Sequence, residues 1–158
     1  MNKIRGNWRT IAIVGLIVAV VVTGLAVWNM TRAAGTTTPV TNQAGTNTQI
    51  NDGGQVTVKV TWPGKSAGPV FTLEMDTHMV DLDGYNMHQL AVLRSDQGQE
   101  LQAMQWNAPM GGHHRNGTLS FPTTFADGTP VIGSKSHKLT LIIRNVAGIP
   151  ERMFQWNT

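Results

Sequence analysis

The chain contains no cysteine, and charged residues make up only 13% of its 158 positions. Without thiols, a disulfide framework and a thiolate metal site are both excluded. A blue-copper electron-transfer centre is excluded for the same reason, because a cysteine binds its copper. A metal site in this protein therefore has to be built from His, Met, Asp, Glu or backbone oxygen.

The sequence also lacks the motifs of common enzymes. It contains no G-x-S-x-G, no H-E-x-x-H and no glycine-rich phosphate loop. No basic run follows the N-terminal region, and the formal net charge is only +3. We therefore expect neither an enzyme nor a nucleic-acid-binding protein.

An apolar run extends from Ile11 to Met30 without a charged residue. At 1.5 Å per residue, a helix of this length spans about 30 Å, the thickness of the bilayer hydrocarbon. A lone strand would leave its backbone groups unpaired in lipid, so the run predicts one transmembrane helix. Trp8 and Trp28 lie near its two ends, where indole rings favour the membrane interface.

The basic residues around this run predict its orientation. Three precede it and one follows closely: Lys3, Arg5 and Arg9, then Arg32. The positive-inside rule then predicts residues 1–10 in the cytoplasm and the rest outside, held by a retained signal anchor. The alternative is a cleaved signal peptide, for which Ala33-Ala34-Gly35 leaves room, although the run is longer than usual and no clean A-x-A site follows. Both interpretations place the C-terminal domain in the same compartment.

Residues 31–54 consist mainly of Thr, Asn, Gln, Gly and Ala. Such a segment buries too little apolar surface to offset the entropy of ordering it, so we expect a flexible polar tether. The folded domain is then expected at 55–158.

Seven short runs in 55–158 alternate between apolar and polar residues or are continuously apolar, and Gly, Pro, Asn and Asp separate them. They are Val56–Trp62, Phe71–Met75, Leu90–Arg94, Ala103–Trp106, Thr118–Phe121, Lys138–Arg144 and Arg152–Trp156. The pattern predicts an all-β fold, an antiparallel immunoglobulin-like or cupredoxin-like β-sandwich of about seven strands. A partly open barrel is the alternative. The same alternation predicts inward positions for Met75, Met104 and the tryptophans at 62, 106 and 156.

Two loop-like segments, 76–88 and 109–117, carry four of the five histidines. Imidazole with thioether is a soft ligand set that suits copper, especially Cu(I). We therefore predict a transition-metal site, with copper favoured, whose ligands are His78, His113 and His114, with His88 and Met110 as additions. Around them, Asp76, Asp81, Asp83 and Arg115 are expected to orient the ligands or to serve the structure.

The same residues allow two other interpretations. Arg115 pairing with Asp81 or Asp83 would pin the two loops together, with the histidines satisfying carbonyl groups. The domain would then be a non-metal interaction module with a protein partner in the cell envelope. A calcium loop beginning at Asp81 is disfavoured, because Val92 occupies the position where an acidic ligand belongs.

Four segments resemble a family of uncharacterised bacterial secreted or membrane-anchored domains. They are 75–83 (MDTHMVDLD), 90–94 (LAVLR), 106 with 111–115 (W and GGHHR) and 150–156 (PERMFQW). The resemblance covers nearly all of the predicted domain and implies a β-rich extracytoplasmic domain without an assigned activity. In composition and in its predicted location outside the cytoplasm, the chain is also similar to periplasmic copper chaperones, but the H-x-M pair of those proteins is missing.

Overall fold

The computed structural model describes residues 47–134 and 136–158. The predicted cytoplasmic segment 1–10, the predicted membrane helix 11–30 and most of the predicted tether lie outside these residues. No helix between Asn47 and Thr158 that the structure describes is long and apolar enough to cross a membrane.

The described chain forms nine β-strands and two very short helices. In chain order the strands are β1 (Thr48–Gly53), β2 (Val56–Thr61), β3 (Val70–Asp76), β4 (Ala91–Ser95), β5 (Glu100–Gln102), β6 (Gln105–Asn107), β7 (His114–Ser120), β8 (Lys138–Val146) and β9 (Ile149–Asn157). A 3₁₀ turn, Lys65–Ala67, follows β2, and a single helical turn, α1 (Met87–Leu90), precedes β4.

The strands make two antiparallel sheets, in the orders β1-β2-β3-β7-β6 and β5-β4-β8-β9. Their apolar faces share one core, so the predicted all-β sandwich is confirmed at this level. Each of the seven predicted runs contributes to a strand. The alternation is clearest in β2 and β3, whose side chains switch between buried and half-buried at every residue up to Met75.

Strand β1 corrects the predicted boundary between tether and domain. Thr48–Gly53 lies inside the predicted tether 31–54, yet it pairs with β2 along its whole length, from Thr48 opposite Thr61 to Gly53 opposite Val56. The inward-facing side chains of β1 include Gln49 and Asn51, which are buried although they are polar. An apolar alternation therefore never appears in this strand, and the predicted start of the domain at residue 55 is wrong.

The core contains an aromatic cluster of Trp62, Phe71, Phe121 and Trp156, with ring centroids 5.3–6.4 Å apart. Met75 is buried as predicted, but the inward position predicted for Met104 is wrong, because this side chain is 59% exposed. Met104 lies where the chain passes from β5 in one sheet to β6 in the other, and Ala103 takes the inward position there. A strand that changes sheets breaks the alternation on which the prediction depends.

The chain enters the sandwich at one end. The carbonyl of Asn47 accepts hydrogen bonds from the backbone N–H of Trp62 and the indole Nε1 of Trp156. We call the opposite end the distal end, which is made of the turn 54–55, the loops 77–86 and 108–113 and the turn 147–148. Both histidine-bearing segments contribute to the distal end, because β3 runs towards it and β7 starts from it.

A histidine pair and its supporting clasp at the distal end

The two predicted functional loops meet directly. The register places Asp76, the last residue of β3, opposite His114, the first residue of β7. Beyond this pair, Thr77 N donates to His113 O at 3.0 Å and Leu82 N donates to Gly112 O at 2.8 Å. These backbone hydrogen bonds connect the two loops independently of any side-chain contact.

The carboxylate of Asp83 accepts hydrogen bonds from two consecutive backbone amides, Gly111 N at 2.8 Å and Gly112 N at 3.3 Å. A Cβ atom on Gly111 would lie 2.1 Å from the carbonyl oxygen of His114, and Gly112 has a φ of +59°. Gly111 is therefore required for space, whereas the left-handed conformation at Gly112 favours glycine. The glycine pair is what lets the second loop close onto Asp83.

Arg115 completes this clasp from the inner face of β7. Its Nη1 donates to the carbonyls of Leu82 at 2.9 Å and Tyr85 at 2.8 Å. Its Nε lies 4.0 Å from Asp83 Oδ1, and its guanidinium lies 5.6 Å from the ring centroid of Trp106. The side chain is only 9% exposed, so these contacts close the distal end of the sandwich.

Asp81 has a local role instead. Its Oδ1 accepts a hydrogen bond from Asp83 N at 2.9 Å, which is the geometry of an Asx turn. Of the two carboxylates predicted as partners of Arg115, Asp83 is the one that lies beside the guanidinium.

Hydrogen bonds orient two of the imidazole rings. His113 Nδ1 lies 2.9 Å from the carbonyl of Val80, and His114 Nδ1 lies 2.8 Å from Asp76 Oδ1. A carbonyl and a carboxylate can only accept, so Nδ1 carries the proton in both rings. In the neutral ring, Nε2 then holds the lone pair that a metal ion needs.

His78 and His114 are brought together across the two loops. Their ring centroids are 6.2 Å apart and the planes are nearly perpendicular, at 82°. Two imidazoles on one ion, each with a metal–nitrogen bond of about 2.0 Å, place their centroids roughly 5–6 Å apart. The observed centroid separation lies just above this range, so the two rings are near the spacing that one shared ion requires.

The structure does not bring the rings of the other two predicted histidine ligands, His113 and His88, to this pair. His113 is turned towards Val80, and His88 lies on α1, where its carbonyl accepts a hydrogen bond from Gln102 Nε2 in β5. Met110 is 80% exposed in the second loop. Residues 47–134 and 136–158 contain no group of three or more His, Asp or Glu side chains placed to hold one ion. The predicted convergence of three histidines is therefore absent there.

A second arginine supports the distal end, and it is not among the residues that the composition of the two loops predicts. Arg152 in β9 is fully buried and donates to the carbonyls of Val146, Gly53 and Val56. Burial lowers the pKa of its guanidinium, and interaction with Tyr85 raises it by less. The signal is present in the sequence, because Arg152 has the same parity as the buried residues Phe154 and Trp156.

At the entry end, a cleft of about 580 Å³ is lined by Phe125, Pro130 and seven polar residues, several of which bond to one another. Asp127 accepts from Thr129 N and Gln99 Nε2, and Ser95 Oγ accepts from Gln97 N and Gln99 N. These groups are already satisfied by the loops that carry them. The distal end is therefore the better candidate for a functional site.

Comparisons of this chain with protein-family models, curated proteins and solved structures give no match. The fold and the site thus define an all-β sandwich with a clasped histidine pair at one end. Its function has to be inferred from that geometry.

Proposed function

We propose that this protein is a membrane-tethered extracytoplasmic domain that binds a transition-metal ion, with copper favoured, at His78 and His114. The observation that carries the proposal is the approach of these two imidazoles, 6.2 Å apart, from two separate loops. The predicted anchor at 11–30 and tether would hold the domain outside the cytoplasm.

The surroundings of His114 support this role. Metal-binding histidines usually donate their second ring N–H to a carboxylate or carbonyl, which fixes the tautomer and raises the basicity of the ligating nitrogen. His114 has this arrangement with Asp76. Because Asp76 is fixed opposite His114 by the sheet register, the ring is oriented before an ion arrives.

Copper is favoured by the kind and number of ligands. Zinc sites in proteins usually have three or four protein ligands, whereas this pair offers two imidazoles. Copper has the highest affinity for nitrogen ligands among the common divalent metals, and its reduced form accepts thioethers. The pair is exposed, which suits an ion that is exchanged with the surroundings.

The strand order also supports an immunoglobulin-like topology, which we propose over the cupredoxin-like alternative. The orders β2-β3-β7-β6 and β5-β4-β8-β9 correspond to the A-B-E-D and C′-C-F-G sheets of such sandwiches. Strand β1 is then an addition at the A edge. In these sandwiches the loops gather at the two ends, which is where the histidine pair lies.

The proposal is tested by calorimetric titration of the full-length protein with Cu(II), together with the variants His78→Ala and His114→Ala. We expect one saturable event per chain in the native protein and its loss in both variants. His88→Ala is the matched control, because this exposed histidine lies on α1. Binding that is absent in the native protein, or that survives both substitutions at the pair, contradicts the metal site.

A second candidate is an interaction module of the cell envelope with structural loop histidines. The observation that favours it is the clasp of Asp83, Arg115 and the glycine pair, which joins the two distal loops by hydrogen bonds without a ligand. Rigid scaffolds often carry binding groups on such loops. This candidate predicts that Asp83→Ala abolishes capture of a partner protein while His78→Ala leaves it unchanged.

A further inference from the structure

Two methionines are exposed beside the histidine pair, one on each loop. Met79 is 73% exposed and Met110 is 80% exposed. Methionine is usually buried, where its flexible side chain fills gaps in a core. Met104 and Met153 are exposed as well, but only Met79 and Met110 lie on the same two loops as the imidazole pair.

The backbone holds both methionines close to the pair. Met79 directly follows His78, and its N–H donates to the hydroxyl of Thr77 at 3.1 Å. Thr77 is itself buried and hydrogen-bonded to His113 O and Gln55 O. The position of Met79 is therefore set by an anchored residue two places earlier.

The backbone of Met110 lies close to His114 in the other loop. It precedes Gly111, the residue with no space for a Cβ because the carbonyl oxygen of His114 lies against it. A hydrogen bond from His114 N to Gly111 O closes the same turn at 3.1 Å. With three rotatable bonds, the thioether of Met110 can turn towards the ring of His114.

We propose that the ion at this site is Cu(I), and that the thioethers of Met79 and Met110 complete its ligand set beside His78 and His114. This inference rests on the proposed metal site and specifies its oxidation state. Thioethers are soft ligands that select Cu(I), whereas Cu(II) and Zn(II) gain little from them. Two imidazoles and two thioethers give the ion four ligands, so the site needs neither a third histidine nor a carboxylate.

The test measures three affinities of the full-length protein: Cu(I) by competition with a chromophoric chelator under reductant, Cu(II) and Zn(II). The variants are Met79→Leu, Met110→Leu and the double substitution, because leucine keeps the volume of methionine and removes the sulfur. We expect each single substitution to weaken Cu(I) binding about tenfold, equivalent to about 1.4 kcal/mol. Cu(II) and Zn(II) affinities are expected to stay unchanged.

Met104→Leu and Met153→Leu are the matched controls, since both residues are exposed but lie elsewhere. Met104 N bonds to Ser120 O, at the far end of β7 from His114, so it is about 20 Å from the pair along the strand. Tight Cu(I) binding that falls only in the two distal-end variants supports the inference. If Cu(II) binds at the pair but the loss of either sulfur leaves Cu(I) affinity unchanged, the thioether assignment is wrong and the histidine site stands. If no ion binds to the native protein, both proposals fail.

Discussion

Arg152 Nη2 donates a hydrogen bond at 2.7 Å to the carbonyl of Gly53, a residue of the opposite sheet 99 positions earlier in the chain. The same guanidinium bonds to Val56 O and Val146 O. One side chain thus ties the turn after β1 to the end of β8. It closes the distal end from the second sheet, as Arg115 does from the first.

Replacing Arg152 with methionine is expected to lower the free energy of unfolding by about 2–4 kcal/mol, because three buried carbonyls lose their donor. The measurement is equilibrium unfolding in urea. Arg144→Met is the matched control, since this arginine makes half-exposed ion pairs with Glu151 and Glu100. We expect that control to cost less than about 1 kcal/mol. Equal losses in the free energy of unfolding would show that the buried hydrogen bonds of Arg152 contribute no more to stability than the exposed ion pairs of Arg144.

Gly117 lies under the ring of Trp106, and a Cβ atom there would be 2.7 Å from Trp106 Cη2 and 2.4 Å from the Cβ of Ala108. Gly117→Ala is therefore expected to destabilise the domain by about 1–3 kcal/mol through overpacking. Thermal unfolding monitored by tryptophan fluorescence measures it. Gly84→Ala is the control, because nothing lies within 4 Å of its added Cβ. Adding Ala108→Gly to Gly117→Ala should recover only part of the loss, because Asn107 O would still lie 2.6 Å from the added Cβ. Equal stability of Gly117→Ala and Gly84→Ala would contradict the overpacking.

The turn between β8 and β9 contains Ala147 at φ +51° and Gly148 at φ +76°. Val146 pairs with Ile149 across it, so it is a two-residue type I′ turn, which prefers Asn-Gly. Ala147→Asn is expected to raise the free energy of unfolding by about 1 kcal/mol, because Asn tolerates the left-handed region better than Ala. Ala147→Val is expected to lower it, since a β-branched residue is strained there. Denaturant unfolding measures both changes in the free energy of unfolding. If the two variants shift it in the same direction, backbone conformation at position 147 is not the cause.

Hydrogen bonds from the backbone and hydroxyl of Thr129 lower the pKa of Asp127 from its ordinary value of 3.8, and Gln99 lowers it further. A carboxylate whose pKa is lower in the folded state stabilises the fold above its unfolded pKa. That contribution is lost as the pH falls through the folded value. We therefore expect Asp127→Asn to be less stable than the native protein at pH 6, with the difference shrinking below pH 4. Unfolding curves from pH 2 to 6 test this, and a difference independent of pH would show that the charge is not involved.

Period-two alternation was sufficient to predict strands such as β2 and β3. Burial of one sheet face makes every second residue of such a strand apolar, so the signal lies within a few consecutive residues. The same rule missed β1, whose buried face carries Gln49 and Asn51. The amide of Gln49 is held by the backbone of Gln155 in β9, as its Oε1 accepts from Gln155 N at 2.9 Å. A partner so distant in sequence leaves no local pattern to recognise.

The candidate site likewise has some features that the sequence predicts and others that only the fold decides. The sequence by itself determined that histidine and methionine are the only soft donor side chains available, because the chain has no cysteine, and that four of the five histidines lie in two loops. Only the tertiary structure decided which histidines meet. The register that places Asp76 opposite His114, 38 residues later, pairs His114 with His78 and turns His113 towards Val80. Such a register depends on hydrogen bonds and packing summed over both sheets, so no short segment of the chain contains it.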